Sequence, residues 1–356
     1  MKIVVVIDSM KGCLNSADAN QAAADGVRSV FPDADIIQIP VSDGGEGFID
    51  AFHAAIGGDI QEVPVRDPMM RWITANYLLC GQEAVIEMAQ ASGLTLLSEE
   101  ERDPMVATSY GTGQLIADAV RKGAKRIIVG LGGSATSDAG IGMLRALIDT
   151  FAKRGQFDDI TELQDIQFTI ASDVKNPLCG AQGAAHVFAP QKGASPEMVE
   201  RLDARARKFA EVSAKHFGYD CSNDEGAGAA GGLGYAFLQY MYANCRPGID
   251  VVLEAARFSE VVKDADLIIT GEGSADSQTL MGKLPMGVLK QSGNVPVCLI
   301  AGKIKDREAL LQAGFSDVRC INPKGISLQG AMRHEVARKH ISDTIRYYIS
   351  PDTTSP

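Results

Sequence analysis

The sequence predicts an α/β protein in which a Rossmann-like parallel-sheet domain is interrupted by an inserted mixed α/β domain. Three observations support this fold class. Strand-helix-strand patterns occur at both ends of the chain, whereas the middle begins with closely spaced strands. The length of 356 residues exceeds one typical core and suits two domains.

The first forty residues show a strand, a helix and a second strand. The run KIVVVID has the continuous apolar pattern of a strand that is buried on both faces. Ser16 is a suitable N-cap for the helix, in which Ala19, Ala23 and Val27 share one face. The run ADIIQIP then predicts a second strand, and this order favours a parallel sheet.

The middle of the chain has a different pattern. It begins with three strand-like runs separated by short breaks, IQEVPV, WITANYLLC and EAVIEMA, which indicate a meander or hairpins. Helices are predicted at residues 114–121 and 138–147. A longer helix begins at Ser195-Pro196, a cap followed by proline in the first turn, and ends at Gly218. Residues 150–166 are polar and weakly patterned, which indicates a surface connection.

The last third returns to alternating strands and helices. The runs ADLIITG, VPVCLIAG and DVRCINP predict strands, and a final amphipathic helix is predicted over residues 327–349, before a frayed tail. We therefore predict that residues 1–65 and 256–356 build the Rossmann-like domain and that residues 66–255 build the inserted domain. We expect the active site in the cleft between the two domains.

Composition and charge exclude several classes of protein. Apolar residues make up 46% of the chain and charged residues 22%, as in soluble globular proteins. The net charge of -11 argues against a nucleic-acid partner, and no apolar run approaches a signal-peptide core or a membrane span. Seven scattered cysteines without a C-x-x-C pair predict reduced thiols in the cytoplasm. The oligomeric state stays open, and a homo-oligomer is compatible with the sequence.

Four loops follow strands of the predicted parallel sheet, where ligands bind in open sheets. They comprise residues 8–12, 42–47, 271–283 and 301–303, and each combines glycine with a carboxylate or a lysine. Glycines let backbone N–H groups approach phosphate oxygens, carboxylates bind magnesium, and lysines offset the charge of a transferred group. The loops therefore predict a site for a magnesium-bound phosphate. For Asp8, simple turn chemistry is an equally good interpretation.

The middle of the chain contains a glycine-rich stretch, GLGGSATSDAG, between a predicted strand and a predicted helix. Residues 130–135 satisfy G-x-G-x-x-A, a variant of the dinucleotide fingerprint. That fingerprint also needs an acid at the end of the next strand, about twenty residues on. Asp149 lies within or at the end of the helix, and residues 158–159 lie in an irregular region, so the match is weak. Neither Gly-Lys pair of the chain fits a Walker A loop.

Two further stretches of the middle domain are rich in polar or small residues. SDVKNPLCG, residues 172–180, follows a predicted strand and offers Asp173 and Asn176 as ligands for substrate or metal, with a capped turn as the alternative. EGAGAAGGLG, residues 225–234, favours close backbone packing.

Eight motifs occur in one order along nearly the whole chain: DSMKGCLNSADA, PVSDGGEGF, IEMAQASGL, TSYGTGQLI, IGMLRAL, ASDVKNPLCGAQGAAHVFAPQKGA, GAGAAGGLG and ADLIITGEGSADSQTLMGK. With this ordered set the chain resembles the bacterial glycerate kinase family, the type with an interrupted Rossmann-like domain. Two features depart from the family pattern. The stretch between Leu147 and Ile170 is short, and Ser274-Ala275 replace a basic and an aliphatic residue.

The resemblance implies an enzyme that uses ATP and Mg²⁺ to phosphorylate glycerate. The expected reaction converts D-glycerate into 2-phosphoglycerate and links glyoxylate or sugar-acid breakdown to central carbon metabolism. The attacking hydroxyl must lose its proton to a carboxylate within hydrogen-bond reach. Asp43 is the first candidate for this base and Asp173 the second. Lys11 and Lys283 are the candidates that neutralise the phosphoryl charge.

Glu272 and Asp276 are the candidate ligands of magnesium, directly or through water. The remaining candidates contact substrate or phosphate: Ser9, Gly44, Gly45, Glu46, Gly132, Gly133, Ser134, Thr136 and Asn176. Ser134 and Thr136 are expected near a helix N-terminus, which favours an anion. Whether their loop binds the carboxylate of glycerate or the phosphates of ATP stays open.

Three other functions stay open at this stage. A kinase of another small hydroxy acid has the same residue pattern. A nicotinamide-dependent oxidoreductase would use residues 130–135 as its fingerprint but lacks the ribose-binding acid. A non-enzymatic ligand sensor would not need several carboxylates and lysines at one edge of a sheet.

Overall fold

The computed structural model describes residues 1–350, so the predicted frayed tail lies outside the described residues. The chain divides into two units. The first unit contains residues 1–43, residues 50–56 and the chain from residue 249 onward, and the second contains residues 44–49 and 57–248. The loop of residues 42–47 therefore passes from the first unit to the second between Asp43 and Gly44.

The strands and helices of residues 1–350 are numbered in chain order. The strands are β1 (Lys2–Ile7), β2 (Asp35–Gln38), β3 (Asp59–Arg66), β4 (Trp72–Cys80), β5 (Glu83–Glu87), β6 (Arg126–Gly130), β7 (Gln167–Ala171), β8 (Asn244–Arg246), β9 (Leu267–Ala275), β10 (Val297–Ile304) and β11 (Asp317–Cys320). The α-helices are α1 (Ser16–Arg28), α2 (Phe48–Ile56), α3 (Ala89–Ser92), α4 (Tyr110–Arg121), α5 (Ile141–Phe151), α6 (Ala184–Phe188), α7 (Pro196–Phe217), α8 (Ala229–Met241), α9 (Gly248–Ala255), α10 (Phe258–Val261), α11 (Ser277–Leu280), α12 (Leu284–Gln291), α13 (Arg307–Gln312), α14 (Leu328–Ala331) and α15 (His334–Ile349).

The sheet of the first unit has five parallel strands in the order β11-β10-β9-β1-β2. Numbered along this unit alone, the order is 2-1-3-4-5, a doubly wound α/β arrangement of the flavodoxin-like kind. The strand order reverses between β1 and β9, and in such sheets ligands bind outside the carboxyl ends of the strands at this switch point. The predicted α/β class with a parallel sheet is confirmed.

Both faces of β1 are buried, because its apolar residues 3–7 have no exposed surface. On one face, Ile3 and Val5 belong to the same cluster as Ala23 of α1 and Ile341 of α15. The predicted cap of α1 is displaced by one residue. The Asn15 side chain accepts the hydrogen bond from Asp18 N (2.7 Å), whereas Ser16 serves another purpose described below.

The sheet of the second unit has the order β3-β4-β5-β6-β7-β8. The pairs from β3 to β5 are antiparallel and the pairs from β5 to β8 are parallel. The predicted hairpins or meander are therefore present in the first half of this sheet, from β3 to β5. The core of this unit joins the sheet to α4, α5 and α8 through buried side chains such as Ile86, Leu115, Leu147 and Phe237.

Several boundaries differ from the sequence interpretation. The predicted domain boundary at residues 65/66 falls inside β3, which pairs with β4 from Asp59 to Arg66. The boundary at residues 255/256 falls at the end of α9, whereas the first unit resumes at Ile249. The helix predicted over residues 327–349 is two helices, α14 and α15.

Two other differences affect the candidate site. α5 begins at residue 141 rather than 138, and β9 extends to Ala275 because residues 272–275 pair with β10. Glu272 was expected in a loop and lies in this strand. None of the helices within residues 1–350 has the length and apolarity needed to cross a membrane.

Candidate active site

The carboxyl end of β1 and the adjacent part of β9 place two acidic residues at the switch point of the first sheet. Ile7 pairs with Gly271, and Asp8 N donates to the Gly271 carbonyl oxygen at 2.9 Å. Asp8 therefore follows β1 beside the position of Glu272 in β9. A half-buried aspartate at this edge is well placed for ligand chemistry.

Side chains of α1 fix the end of β1. Ser16 Oγ donates to the Ile7 carbonyl oxygen (2.5 Å) and accepts from Val41 N (2.9 Å). Asn20 Oδ1 accepts from Ile7 N (2.8 Å). Because Val41 comes shortly before Asp43, the same hydroxyl holds the end of β1 and the start of the loop that carries the predicted base.

Three carboxylates at this edge influence one another. Burial and the charge of Asp43 raise the pKa of Asp8 to about 7, with a smaller contribution from Glu272. The hydrogen bond from Ser9 N (2.7 Å) and the charge of Lys11 act in the opposite direction. Ser9, a predicted contact to substrate or phosphate, thus has its backbone N–H already bonded to Asp8. A cation at this edge would relieve the repulsion between the carboxylates.

Two predicted lysines lie against two predicted carboxylates. Lys11 Nζ is 3.7 Å from Asp43 Oδ2, and both side chains are exposed. Lys283 Nζ is 3.5 Å from Glu272 Oε2, and Thr279 Oγ1 donates to Glu272 Oε1 at 2.5 Å. Burial raises the pKa of Glu272, and these two partners partly offset that effect. The structure therefore brings together Lys11 with Asp43 and Lys283 with Glu272.

Asp276 has partners that the sequence interpretation did not include. Its side chain caps the short helix α11 by accepting from Gln278 N (3.0 Å), and Lys305 Nζ lies 3.2 Å from its Oδ2. Lys305, followed by the Gln278 bond, lowers the pKa of Asp276. Among residues 1–350, no three His, Cys, Asp or Glu side chains converge to form a metal site. The donors suit Mg²⁺ carried mainly by phosphate oxygens and water, with one or two carboxylates.

The glycines of residues 44–45 pack directly on backbone of the second unit. Gly44 has a φ of +95°, and a Cβ there would lie 2.7 Å from the Ala171 carbonyl oxygen. A Cβ on Gly132 would lie 2.4 Å from Gly45 Cα, and Gly132 N donates to the Gly44 carbonyl oxygen at 2.9 Å. These three glycines are needed for close packing whatever they bind. Glu46, next in the loop, is exposed.

The loop after β6, residues 131–140, is held on two sides. Leu94 N donates to the Gly133 carbonyl oxygen (2.8 Å), and Ala135 N donates to the Ser92 carbonyl oxygen (2.9 Å). On the other side, Ala139 N donates to the Gly231 carbonyl oxygen (3.0 Å). Residues 225–234 therefore pack on this loop, as their small side chains predict. Gly133 is exposed, whereas residues 134–137 are buried.

Asp138 already occupies the N-terminus of α5. Its carboxylate accepts from Gly140 N (3.1 Å), from Gly142 N (3.1 Å) and from both Ser109 N (2.8 Å) and Ser109 Oγ (2.9 Å). The helix dipole therefore acts on an internal carboxylate, and the anion-binding role of Ser134 and Thr136 stays a prediction. The same capping removes the amides that would hold a dinucleotide pyrophosphate, which weakens the oxidoreductase alternative.

Lys192 belongs to this loop in space and was missed by sequence reasoning. It ends the 3₁₀ helix Pro190–Lys192 and is only 3% exposed. Its Nζ donates to Ser134 Oγ (2.9 Å) and to the Thr136 carbonyl oxygen (2.6 Å). Burial lowers its pKa to about 7, and the charge of Asp138 partly offsets that effect. A single lysine in an irregular stretch carries no periodic signal, and only its apolar surroundings in FAPQKGA hinted at burial.

The two polar candidates after β7 have local partners. Asp173 is exposed, and its Oδ1 accepts from Gly248 N at 3.2 Å. Asn176 Nδ2 donates to the Gln182 carbonyl oxygen at 2.8 Å, which stabilises the turn that follows β7. The structure thus accounts for the amide nitrogen of Asn176 in the way that the turn alternative predicts. Its ligand role and that of Asp173 stay predictions.

Comparison with known proteins gives a consistent result along the chain. The profile of the glycerate kinase family matches residues 3–349. The chain is 42% identical to glycerate kinase of Bacillus subtilis (strain 168), covering 97% of this chain and 96% of that protein. It is 41% identical to glycerate 2-kinase of Escherichia coli (strain K12), covering 86% of each.

A crystal structure is also similar over the whole length. A Salmonella typhimurium LT2 protein assigned as glycerate kinase 2 superposes with a TM-score of 0.82 and 38% identity. The match covers 98% of this chain and 97% of that chain. On this evidence the chain belongs to the glycerate kinase family.

Proposed function

We propose that the protein transfers the γ-phosphoryl group of ATP to D-glycerate and forms 2-phosphoglycerate. The observation that carries the proposal is the pairing of Lys11 with Asp43 and of Lys283 with Glu272 at one edge of the parallel sheet. These pairs combine a carboxylate base with lysines for phosphoryl charge, within a chain of the glycerate kinase family. The name of the Escherichia coli relative, glycerate 2-kinase, supports the 2-hydroxyl as acceptor.

In the proposed reaction, the substrate hydroxyl oxygen attacks the γ-phosphorus and the bond to the bridging oxygen of ADP breaks. Asp43 accepts the hydroxyl proton, with Asp173 as the second candidate. Lys11 lies beside Asp43 and balances its charge before the proton arrives. Because phosphoryl transfer needs little covalent help, positioning and charge neutralisation supply most of the acceleration.

The other predicted residues bind and orient. Lys283 would neutralise charge on the transferred group, and Glu272 and Asp276 would hold Mg²⁺, directly or through water. When bound, Mg²⁺ neutralises charge on the phosphate oxygens. The remaining proposed contacts to substrate or phosphate are Ser9, Gly44, Gly45, Glu46, Gly132, Gly133, Ser134, Thr136 and Asn176.

A coupled assay tests the proposal directly. ADP release would be measured with ATP, Mg²⁺ and a panel of small hydroxy acids that includes both enantiomers of glycerate. We expect the highest kcat/KM with D-glycerate and a product whose phosphorus NMR signal matches 2-phosphoglycerate. A 3-phosphoglycerate product would correct the acceptor hydroxyl, and preference for another acid would favour a different hydroxy-acid kinase. ADP release that does not depend on glycerate would overturn the proposal.

A further inference from the structure

Lys192 is a buried cation without a partner of opposite charge in direct contact. Its side chain is 3% exposed, and within residues 1–350 no carboxylate oxygen lies within ion-pair distance of its Nζ. Asp138, the carboxylate whose charge acts on it, is already bonded to Ser109 and to the first turn of α5. A buried charge is costly unless a partner compensates it. An anionic ligand would supply that compensation.

The ammonium organises the loop and leaves a donor available. Two of its three N–H groups are used by Ser134 Oγ and the Thr136 carbonyl oxygen. Ser134 Oγ accepts from Lys192 and from Thr136 N (3.3 Å) and donates to the Thr136 carbonyl oxygen (3.3 Å), so the third N–H of the ammonium is the donor left for a ligand. Ser137 adds a second, independent sign. Its side chain is 8% exposed, and its buried Oγ has no hydrogen-bond partner among residues 1–350.

The positive charge of this loop comes from the lysine and not from the helix that follows. The first amides of α5 donate to Asp138, which neutralises the N-terminal end of its dipole. Lys192 reaches the opposite end of the loop, at Ser134 and Thr136. The loop of residues 132–137 therefore combines the unpartnered hydroxyl of Ser137 with the cation of Lys192, which is the composition of an oxyanion site.

We propose that Lys192 is the positioning residue of an oxyanion subsite in the second unit, formed by Ser134, Thr136 and Ser137. The ligand class is a carboxylate or a phosphate, and its identification with the glycerate carboxylate or an ATP phosphate rests on the proposed function. Lys192 fixes the loop through Ser134 Oγ and the Thr136 carbonyl oxygen, and its third N–H and its charge attract the oxyanion.

The subsite makes binding depend on pH in a defined direction. Lys192 has a pKa of about 7 without ligand, so it is largely neutral at pH 8. A bound oxyanion favours the charged ammonium and raises this pKa, so binding at pH 8 takes up a proton. Among neighbouring charged groups, Asp138 already acts on Lys192, whereas His186 of α6 faces Glu200 and Asp203. Arg102 packs its carbonyl oxygen against Gly193.

Calorimetry tests the subsite without turnover. Inorganic phosphate, D-glycerate and ADP would each be titrated into the full-length protein at pH 6 and pH 8, in two buffers of different ionisation enthalpy. We expect proton uptake at pH 8 with at least one probe, and little at pH 6. Lys192→Met should remove this uptake and weaken binding of that probe at pH 6 by roughly tenfold or more. Lys208→Met, which removes an exposed lysine of the same unit, should change neither.

The three probes and the kinetic assay separate the possible results. Uptake with D-glycerate alone assigns the subsite to the substrate carboxylate, and uptake with phosphate or ADP assigns it to a phosphate. KM for the matching substrate should rise in Lys192→Met more than kcat falls. If the wild type shows proton uptake but no glycerate-dependent ADP release, the proposed function fails and the subsite stands. If the protein shows glycerate kinase activity but no proton uptake that depends on Lys192, the proposed function stands and the subsite proposal fails.

Folding of the variants is checked by circular dichroism and thermal melting. Lys192→Gln is the second variant, because its amide can still donate to the Thr136 carbonyl oxygen without carrying charge. If neither variant folds, the wild-type titrations decide. Absence of proton uptake at pH 8 with all three probes, or uptake that persists in a folded neutral variant, overturns the proposal.

Discussion

Asp43 and Lys11 form the residue pair on which the proposed chemistry depends most. Their side chains are 3.7 Å apart, and both are accessible to a ligand from solvent. Surface ion pairs of this kind contribute little to stability, so their value lies in reactivity. Activity and stability should therefore respond differently when Asp43 is changed.

We predict that Asp43→Asn abolishes glycerate-dependent ADP release while the protein stays folded. The amide is nearly the same size as the carboxylate but cannot accept the hydroxyl proton, so kcat should fall by roughly 10²–10⁴-fold. Asp33→Asn, at an exposed aspartate, is the matched control. A near-normal kcat in Asp43→Asn would move the base to Asp173 or Asp8.

The raised pKa of Asp8 predicts that the stability of the protein depends on pH. Its pKa is raised from 3.8 to about 7, mainly by burial and Asp43, so folding favours its protonated form. Its contribution to stability is fully present below about pH 4 and is lost as the pH rises through 7. Asp8→Asn should therefore raise the melting temperature at pH 8 and change it little at pH 4. Thermal melts at both pH values would check this, and equal shifts at both would contradict it.

At this scale the sequence identified acidic and basic residues by their position after strands. It could not show which carboxylate is shielded from solvent. Turn chemistry and a ligand role therefore remained equally good interpretations of Asp8. Lys192 was invisible because its burial arises from packing around a short 3₁₀ helix and not from a local pattern. Asp138 stood in the expected loop, but its capping of α5 is visible only in the folded structure.

At the scale of elements, close backbone packing joins the loop after β6 to the glycines of residues 44–45. Gly132 leaves no room for a methyl group, since Gly45 Cα lies 2.4 Å from the position of its Cβ. Backbone atoms cannot move aside as a flexible side chain can. The glycines in this loop thus fix its shape before they bind any ligand.

We predict that Gly132→Ala destabilises the protein by roughly 1–3 kcal/mol, because overpacking forces the backbone to shift. It should also reduce kcat/KM, because the displaced loop carries Ser134. Lys192 would lose its hydrogen-bond partners in the same loop. Urea unfolding and the coupled assay would measure the two effects. Gly273→Ala serves as the stability control because a Cβ there meets no atom within 4 Å. Equal stability of both variants would contradict the packing argument.

Most strands and helices were predictable, and the errors have physical reasons. The runs that became β1, β4 and β9 are dominated by apolar or β-branched residues, so their pattern is clear. β9 was predicted too short because GEGSA has little strand propensity, and pairing with β10 overrides that preference. α5 was predicted to begin too early because Asp138 resembles a first-turn residue but caps the helix from outside it.

At the scale of the whole molecule, the second unit has its own hydrophobic core. Buried side chains of its sheet pack with α4, α5 and α8, and residues 57–248 are continuous in sequence. The first unit is assembled from segments on both sides of this stretch. The sequence analysis placed the predicted domain boundary inside β3, because strand boundaries depend on pairing partners that a local pattern does not show.

We predict that a fragment of residues 44–248 folds cooperatively without the rest of the chain, since a domain with its own core is able to fold alone. Far-ultraviolet circular dichroism and a single thermal transition would establish this. A fragment of residues 1–43 should show no fixed structure, because β1 lacks its neighbour β9. A fragment 44–248 that is unfolded at 25 °C would contradict the prediction.

The pairing of β1 with β9 also has a consequence during synthesis. Lys2 N donates to Asp266 Oδ2, a residue 264 positions later in the chain. At about 5–20 residues per second, the ribosome needs roughly 13–50 s to make that partner. Until then the partner of one edge of the apolar strand KIVVVI has not been made, and an unpaired apolar strand edge is prone to aggregation. The segment that delivers Asp8 to the sheet edge is thus translated long before β9, and its pairing is completed only after β9 has been made.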